Sequence, residues 1–325
     1  MTLPPRAEPT VAELLEGFAE RRVGALARAI SWVEDGEEFA GELLDSLYEQ
    51  TGNAWRTGLT GPPGAGKSTL SDVLVRYWAE KGSQAALIAV DPSSPFTGGA
   101  LLGDRVRMDQ ALADAGVYVR SMANRGSLGG MSLATGAAAD LCDAFGFPEI
   151  ILETVGVGQA EVDIMAAVDV AVVVLTPQSG DGIQAMKAGL MEVGDLFVVN
   201  KADCAGADRL KHEIESILDL RQTPGPMPEV VTCSAKLGDG IQDVAIAIER
   251  RRKVMTESGF LETRRNTRAL ARIRRLLEGG LRAEIWSHAQ MEGKAKAALA
   301  DGARPDAIAA QLLNEVLKKV NVCDE

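Results

Sequence analysis

The sequence predicts an α/β fold in which a mostly parallel central sheet is flanked by helices, with a helical extension before it and a helical arm after it. Two observations carry this expectation. From Trp55 onward, short β-branched or apolar runs alternate with helical patterns. Directly after the first run comes an ungapped G-x-x-x-x-G-K-[ST] stretch, Gly61-Pro62-Pro63-Gly64-Ala65-Gly66-Lys67-Ser68-Thr69. With 325 residues, 46% hydrophobic and 25% charged, the chain can bury one large core and carry helical additions. The expected division is a helical extension at 1–52, a central domain at 53–255 and a C-terminal arm at 256–325.

The extension reads as helical from Thr10 to Gln50, with Val11, Leu14, Leu15 and Phe18, then Leu43, Leu44 and Leu47, forming apolar stripes between charged faces. Trp55 to Leu59 is the first strand. The glycine-rich stretch after it is a P-loop, and Leu70, Val73, Leu74 and Tyr77 mark the helix that must follow. Glycines at 61, 64 and 66 let successive N–H groups face phosphate oxygens, and the helix presents its positive dipole end to the same charge. Lys67 is placed to reach the β and γ phosphates, and Ser68 to offer its hydroxyl to Mg²⁺.

Further strands are expected at Ala85 to Val90, Val117 to Val119, Glu149 to Leu152, Val170 to Leu175, Leu196 to Val199 and Glu229 to Thr232. The longest apolar stretch, Ala166 to Leu175, is broken by Asp169 and fits a buried strand rather than a membrane span. Pro224 to Pro228 closes the helix of Leu210 to Leu220. Beyond Arg252, Leu270, Ile273, Leu277, Leu281 and Ile285 recur at helical spacing among arginines, and Pro305 to Val320 is a second amphipathic helix. Two readings of these helices stand side by side: elements folded back on the core, or an arm for dimerisation.

Strand ends carry the chemistry. Asp91 opens a turn-rich segment that runs on to Gly103-Asp104-Arg105, and Glu153 starts Glu-Thr-Val-Gly-Val-Gly-Gln, where Gly156 is placed to offer its N–H to the γ phosphate. Carboxylates there can hold a metal's water shell or orient an attacking water, or can simply cap a turn. Asn200-Lys201-Ala202-Asp203 follows the strand at Leu196 to Val199. The Asp203 carboxylate can accept the N1 and N2 protons of guanine, a donor pair adenine lacks. Asn200 and Lys201 brace that loop, and Ser234-Ala235-Lys236 supplies a second base-contacting loop. The segment 177–187, with Gln178, Gly180, Asp181, Gly182 and Lys187, reads equally as a partner-sensing loop or an ordinary strand-to-helix connection.

A formal charge of −12 argues against nucleic acid or an anionic membrane as the main partner. Met1 to Thr10 holds Pro4, Pro5 and Glu8 without an apolar core, so no secretory signal is read and the cytoplasm is the expected compartment. Cys142, Cys204, Cys233 and Cys323 form no Cys-x-x-Cys pair and are expected as free thiols.

Taken together, these motifs resemble the SIMIBI-class P-loop GTPases, and within them the methylmalonyl-CoA mutase-associated GTPases of the MeaB, ArgK and MMAA type. The resemblance rests on residues 61–69, Val-Asp-Pro-Ser-Ser-Pro at 90–95, Gly-Asp-Arg-Val-Arg-Met at 103–108, Ser-Leu-Gly-Gly at 127–130, 153–159 and 200–203. Glu153, where many G proteins carry aspartate, is typical of this group. The resemblance implies a GTP-hydrolysing chaperone of adenosylcobalamin-dependent methylmalonyl-CoA mutase that gates cofactor delivery and protects or reactivates the mutase. It puts Asp91, Asp104 and Glu153 in the Mg²⁺ and hydrolysis shell, and implies switch regions at 91–108 and 153–160. A third switch at 177–188 would couple to the mutase through Gln178, Asp181 and Lys187, and the C-terminal helices would dimerise. Three other readings compete. A nickel-inserting metallochaperone would lean on His and Cys ligands, whereas His212 and His288 stand apart from any cysteine. An ATP-dependent kinase of a transport system sits poorly with Asn200 to Asp203. A non-catalytic nucleotide-gated scaffold would leave the acids beside the P-loop unused.

Overall fold

A computed structural model describes residues 8–92, 116–124, 133–154, 167–178, 190–220, 225–287 and 289–321. The chain divides into two compact units, Met1–Arg268 and Ala269–Glu325.

In the first unit, α1 (Val11–Ala19), α2 (Val23–Asp35) and α3 (Ala40–Leu47) form the N-terminal extension. A capping box starts α1: the Glu13 N–H donates to Thr10 Oγ1 at 3.2 Å, and the Thr10 N–H donates to Glu13 Oε2 at 2.7 Å. Gly36, at φ 70°, ends α2 in the left-handed conformation open to glycine. The apolar stripes Leu14 and Phe18, Leu26 and Ile30, and Leu43 and Leu47 are all buried. They share one core cluster with Ala138, Leu141 and Cys142 of α5 (Leu133–Ala144), and Phe18 meets Phe145 edge to face.

The sheet holds β1 (Trp55–Thr60), β2 (Ala85–Pro92), β3 (Val117–Asn124), β4 (Glu149–Thr154), β5 (Val170–Leu175), β6 (Leu196–Val199) and β7 (Glu229–Thr232). Their spatial order is β3-β2-β4-β1-β5-β6-β7, and every pairing is parallel. All seven expected strands are present; the correction is in their length, since β3 runs on to Asn124 and β4 to Thr154. Alternation along β5 explains its unbroken apolar run. Val170, Val172 and Val174 join the core on one face with α4 (Lys67–Glu80) and α8 (Ile241–Glu257), while Ala171, Val173 and Leu175 join the core on the other. Short helices α6 (Leu190–Val193) and α7 (Ala207–Leu218) complete the described cover. Because the strands are parallel, their C-terminal ends share one edge, and β1 lies between β4 and β5 where the order turns back, a crevice suited to a ligand.

The opposite edge is polar and sealed by arginines. Asp169, fully buried just before β5, accepts from Arg265 and Arg268 of α9 (Phe260–Ser287) and from the Arg56 N–H. Asp195, just before β6, takes Arg251 at 2.9 Å and Arg264. Arg56 itself bonds Asp140 at 2.7 Å.

In the second unit, α9 continues to Ser287, followed by α10 (Ala289–Ala300) and α11 (Pro305–Asn321). The first and last of these match the expected helices; α10 was not read from the sequence. Lys294 and Glu315 pair between α10 and α11. Among the described residues, no helix is long and apolar enough to cross a membrane.

Candidate functional site

The chain leaves β1 through Gly61 at φ 133°, where a built Cβ would stand 2.1 Å from the Val174 carbonyl oxygen. Only glycine lets the loop pass β5 so closely. Pro62 to Ala65 form a turn closed by the Ala65 N–H to Pro62 O bond at 3.2 Å, with Gly64 at φ 75° and Gly66 at φ 86°. α4 then starts at Lys67 with Gly66 as its N-cap, a residue with no side chain to cap the helix. The first-turn N–H groups, Ser68 and Thr69 among them, therefore stand at the positive end of a 14-residue helix without a side-chain acceptor from the N-cap. Lys67 is 5% exposed, and its ammonium donates to Gly61 O at 2.6 Å and Pro62 O at 2.9 Å. Its charge is thus held inside the loop that has to meet phosphates.

Glu153 faces this loop from β4, paired with Leu59 of β1 on one side and Ala89 of β2 on the other. Its carboxylate is buried; one oxygen accepts from the Ser68 hydroxyl and the other from the Ser71 hydroxyl at 2.7 Å. Asp91 is the last residue but one of β2, two rungs beyond Ala89 toward the same end of the sheet, and its side chain lies outside the described residues. Asp104, Gly156, Asp181 and Lys187 also lie outside the described residues.

The tetrad Asn200 to Asp203 sits at the exit of β6. Asn200 is 2% exposed and bridges two loops: its Nδ2 donates to Ala65 O at 2.8 Å, and its Oδ1 accepts the Ala235 N–H at 3.0 Å and the Cys233 thiol at 3.6 Å. Gly66 is needed here as well, since a Cβ would come within 2.4 Å of Asn200 Nδ2. Lys201 takes φ 58°, which is uncommon outside glycine. Beyond that bend, the Ala202 N–H reaches Cys233 O at 2.9 Å and the exposed Asp203 accepts the Ser234 hydroxyl at 2.6 Å. That bond, together with the nearby Lys236, holds the Asp203 carboxyl below its ordinary range. Ser234 closes the second loop with an N–H to Asp239 O bond at 2.9 Å. Gln178, in the turn after β5, donates to the Cys204 thiol at 3.3 Å, next to Asp203.

The structure therefore brings Lys67, Ser68 and Glu153 into one group and Asn200, Asp203, Ser234 and Ala235 into another, with the Asn200 amide joining them. Two contributors were not read from the sequence. Ser71 lies three residues after Ser68, so the helical period was the available signal. Cys233 immediately precedes Ser234, and burial pushes its thiol up to about 12, leaving it a neutral donor to Asn200.

The sequence profile of the family described as methylmalonyl Co-A mutase-associated GTPase MeaB matches residues 26–290. The chain belongs to this family of GTPases. A relative from Pyrococcus abyssi is 46% identical over 273 residues, covering 83% of this chain and 84% of that one. The GTPase ArgK of Escherichia coli is 36% identical over 280 residues, covering 83% and 85%. Among solved structures, one described as a LAO/AO transport system kinase superposes with a TM-score of 0.72 at 28% identity, covering 97% of this chain and all of that one. GTP binding follows from membership of the family, and the profile spans the P-loop, β4, the tetrad at 200–203 and the loop at 234–236.

Proposed function

We propose that the chain is a nucleotide-gated chaperone of adenosylcobalamin-dependent methylmalonyl-CoA mutase, which uses GTP binding and hydrolysis to gate cofactor delivery and to protect or reactivate the mutase. The family match over residues 26–290 supports the client, since that family is described as mutase-associated. The observation that carries the nucleotide reading is the Asn200 amide, which ties the phosphate loop at Ala65 to the guanine-reading loop at Ala235. A single ligand with a triphosphate at one end and guanine at the other fits that pair of loops.

The residues fit Mg²⁺ as well. A hydroxyl and a carboxylate are hard oxygen donors of the kind this ion selects, and Ser68 and Glu153 supply both at the mouth of the P-loop. Ser68 would hold the ion directly, with Asp91, Asp104 and Glu153 assigned to its shell and to hydrolysis. Mg²⁺, when bound, neutralises charge on the phosphate oxygens. Lys67 exchanges the Gly61 and Pro62 carbonyls for the β and γ phosphates, and the P-loop amides from Gly61 to Thr69 bind the same groups. Gly156 donates to the γ phosphate. Asp203 accepts from guanine, with Lys201, Ser234, Ala235 and Lys236 shaping the base pocket. Gln178, Asp181 and Lys187 couple the nucleotide state to the mutase.

The helices from residue 256 onward form a homodimerisation arm in this reading. Leu270, Ile273, Leu277 and Leu281 of α9 are more than half exposed in the isolated chain, which supports a partner for that stripe. The test is capture from a native extract with the chain held in GDP or in a non-hydrolysable GTP analogue. A methylmalonyl-CoA mutase subunit is expected to be retained to different extents in the two states. Equal retention, or none, would remove the gating reading.

A further inference from the structure

Ser71 is the buried group beside the phosphate loop that no role so far uses. It lies on α4 one turn beyond Ser68, so both hydroxyls fall on the helix face turned to β4. Ser71 is fully buried, and its Oγ stands 2.7 Å from Glu153 Oε2 and 3.0 Å from Ser68 O. A hydroxyl has one proton to give, and the shorter, charge-assisted bond to the carboxylate is the stronger claim on it. Ser68 meets the other carboxylate oxygen, Oε1. Glu153 is thus gripped at both oxygens by one helix, although only Ser68 belongs to the phosphate-loop pattern.

The two grips differ in what a ligand does to them. On the reading above, the Ser68 oxygen is claimed by Mg²⁺ when nucleotide binds, whereas Ser71 lies a turn further along α4, outside the phosphate-loop pattern, with its hydroxyl on the other carboxylate oxygen. We propose that Ser71 is a positioning residue for Mg²⁺: by holding Oε2 it fixes the Glu153 carboxylate so that Oε1 always faces Ser68 and the ion's shell. A carboxylate fixed in this way needs no reorientation when the ion arrives, so the bond raises affinity for Mg²⁺ rather than for the nucleotide. Were Ser71 merely a packing residue, its loss would lower stability and leave the metal dependence alone.

The experiment titrates Mg²⁺ against release of a fluorescent GDP from the full chain, for wild type, Ser71→Ala, Glu153→Gln and the double variant. Ser71→Ala is expected to raise the Mg²⁺ concentration for half-maximal retention by about 10- to 100-fold, the usual cost of losing a group that orients a metal's ligands. GDP release in excess chelator should be unchanged by Ser71→Ala. In the Glu153→Gln background, Ser71→Ala should add little, because the two act as one unit. An unchanged Mg²⁺ midpoint in Ser71→Ala, or the same shift in both backgrounds, would overturn the proposal. If Ser71→Ala does not fold, Ser71→Cys keeps the size and a weaker donor, and the expected shift is smaller but of the same sign. No Mg²⁺ dependence in the wild type would instead sink the underlying metal assignment, and the proposal with it.

Discussion

The side-chain amide of Asn200 donates to the carbonyl of Ala65 at 2.8 Å, across 135 residues of sequence, and so makes two loops from different strands one object. The same side chain receives the Ala235 N–H, so three loops share one buried amide. Asn200→Ala leaves the Ala65 carbonyl and the Ala235 N–H without this partner in a buried setting. A loss of about 2–4 kcal/mol is expected from two such groups, read as a drop in the urea midpoint. GDP affinity should fall together with pyrophosphate affinity, because the phosphate loop is released along with the base loop.

Asp203 is expected to behave differently. It touches Ser234 and is exposed, so removing its charge leaves the phosphate loop in place. Asp203→Asn replaces one acceptor oxygen by a donor that opposes guanine's own donors. The preference for GDP over XDP should reverse, with GDP affinity falling about 100-fold for one lost charge-assisted bond and a donor set against a donor. Competition binding with GDP, XDP and pyrophosphate reads this, with pyrophosphate unchanged. An unaltered purine preference would refute the assignment of Asp203.

The sequence was most informative where physics acts locally. Seven strands were legible because a parallel sheet buried on both faces demands unbroken apolar runs, as at Val170 to Leu175. The phosphate loop was legible because its glycines answer local demands, such as the 2.1 Å approach at Gly61. Ser71 was not, because its helical spacing from Ser68 places it on the same face of the helix but does not say which side chain faces it there. α10 escaped because Ala289 to Ala300 is rich in alanine and lysine, good helix formers that leave no apolar stripe to read. In the sequence Asp169 is only a break in an apolar stretch. In the structure it is a buried hub whose arginine partners lie about a hundred residues further on, beyond the reach of any local pattern.

That hub yields a stability prediction. Burial alone would push the Asp169 carboxyl up, yet the bond from Arg265 and the charges of Arg268 and Arg265 more than offset this and hold it below its ordinary range. Asp169→Ala would leave those half-buried guanidiniums without their counter-charge, with only the backbone carbonyls of Gly52, Ala54 and Ala167 still accepting from them among the described residues. A loss of about 3–5 kcal/mol is expected, the cost of breaking rather than replacing a buried pair. Chemical denaturation would measure it. Because the edge at Asp169 is opposite the phosphate loop, nucleotide affinity of the folded fraction should be unaffected.

Glu149 gives the opposite pH response at the same edge. It begins β4 with Oε1 accepting from Arg252 at 2.8 Å, while Oε2 is buried without a hydrogen-bond partner among the described residues. Burial drives its carboxyl up to about 7, with the Arg252 charge and bond only partly opposing this and Glu249 adding to it. A folded value above the unfolded value of 4.5 means that the folded state binds the proton more tightly. This group's contribution to stability is therefore fully present below about pH 4.5 and is lost as pH rises through about 7. Glu149→Gln keeps the shape without the charge and removes that dependence. The stability difference between wild type and Glu149→Gln should shift against the wild type by up to about 3 kcal/mol between pH 4.5 and 8, read from paired urea titrations. Arg252 also stacks over Trp55 at 5.2 Å, so it keeps one partner in the variant. A difference that stays flat across this range would show that Glu149 is ionised throughout in the folded chain.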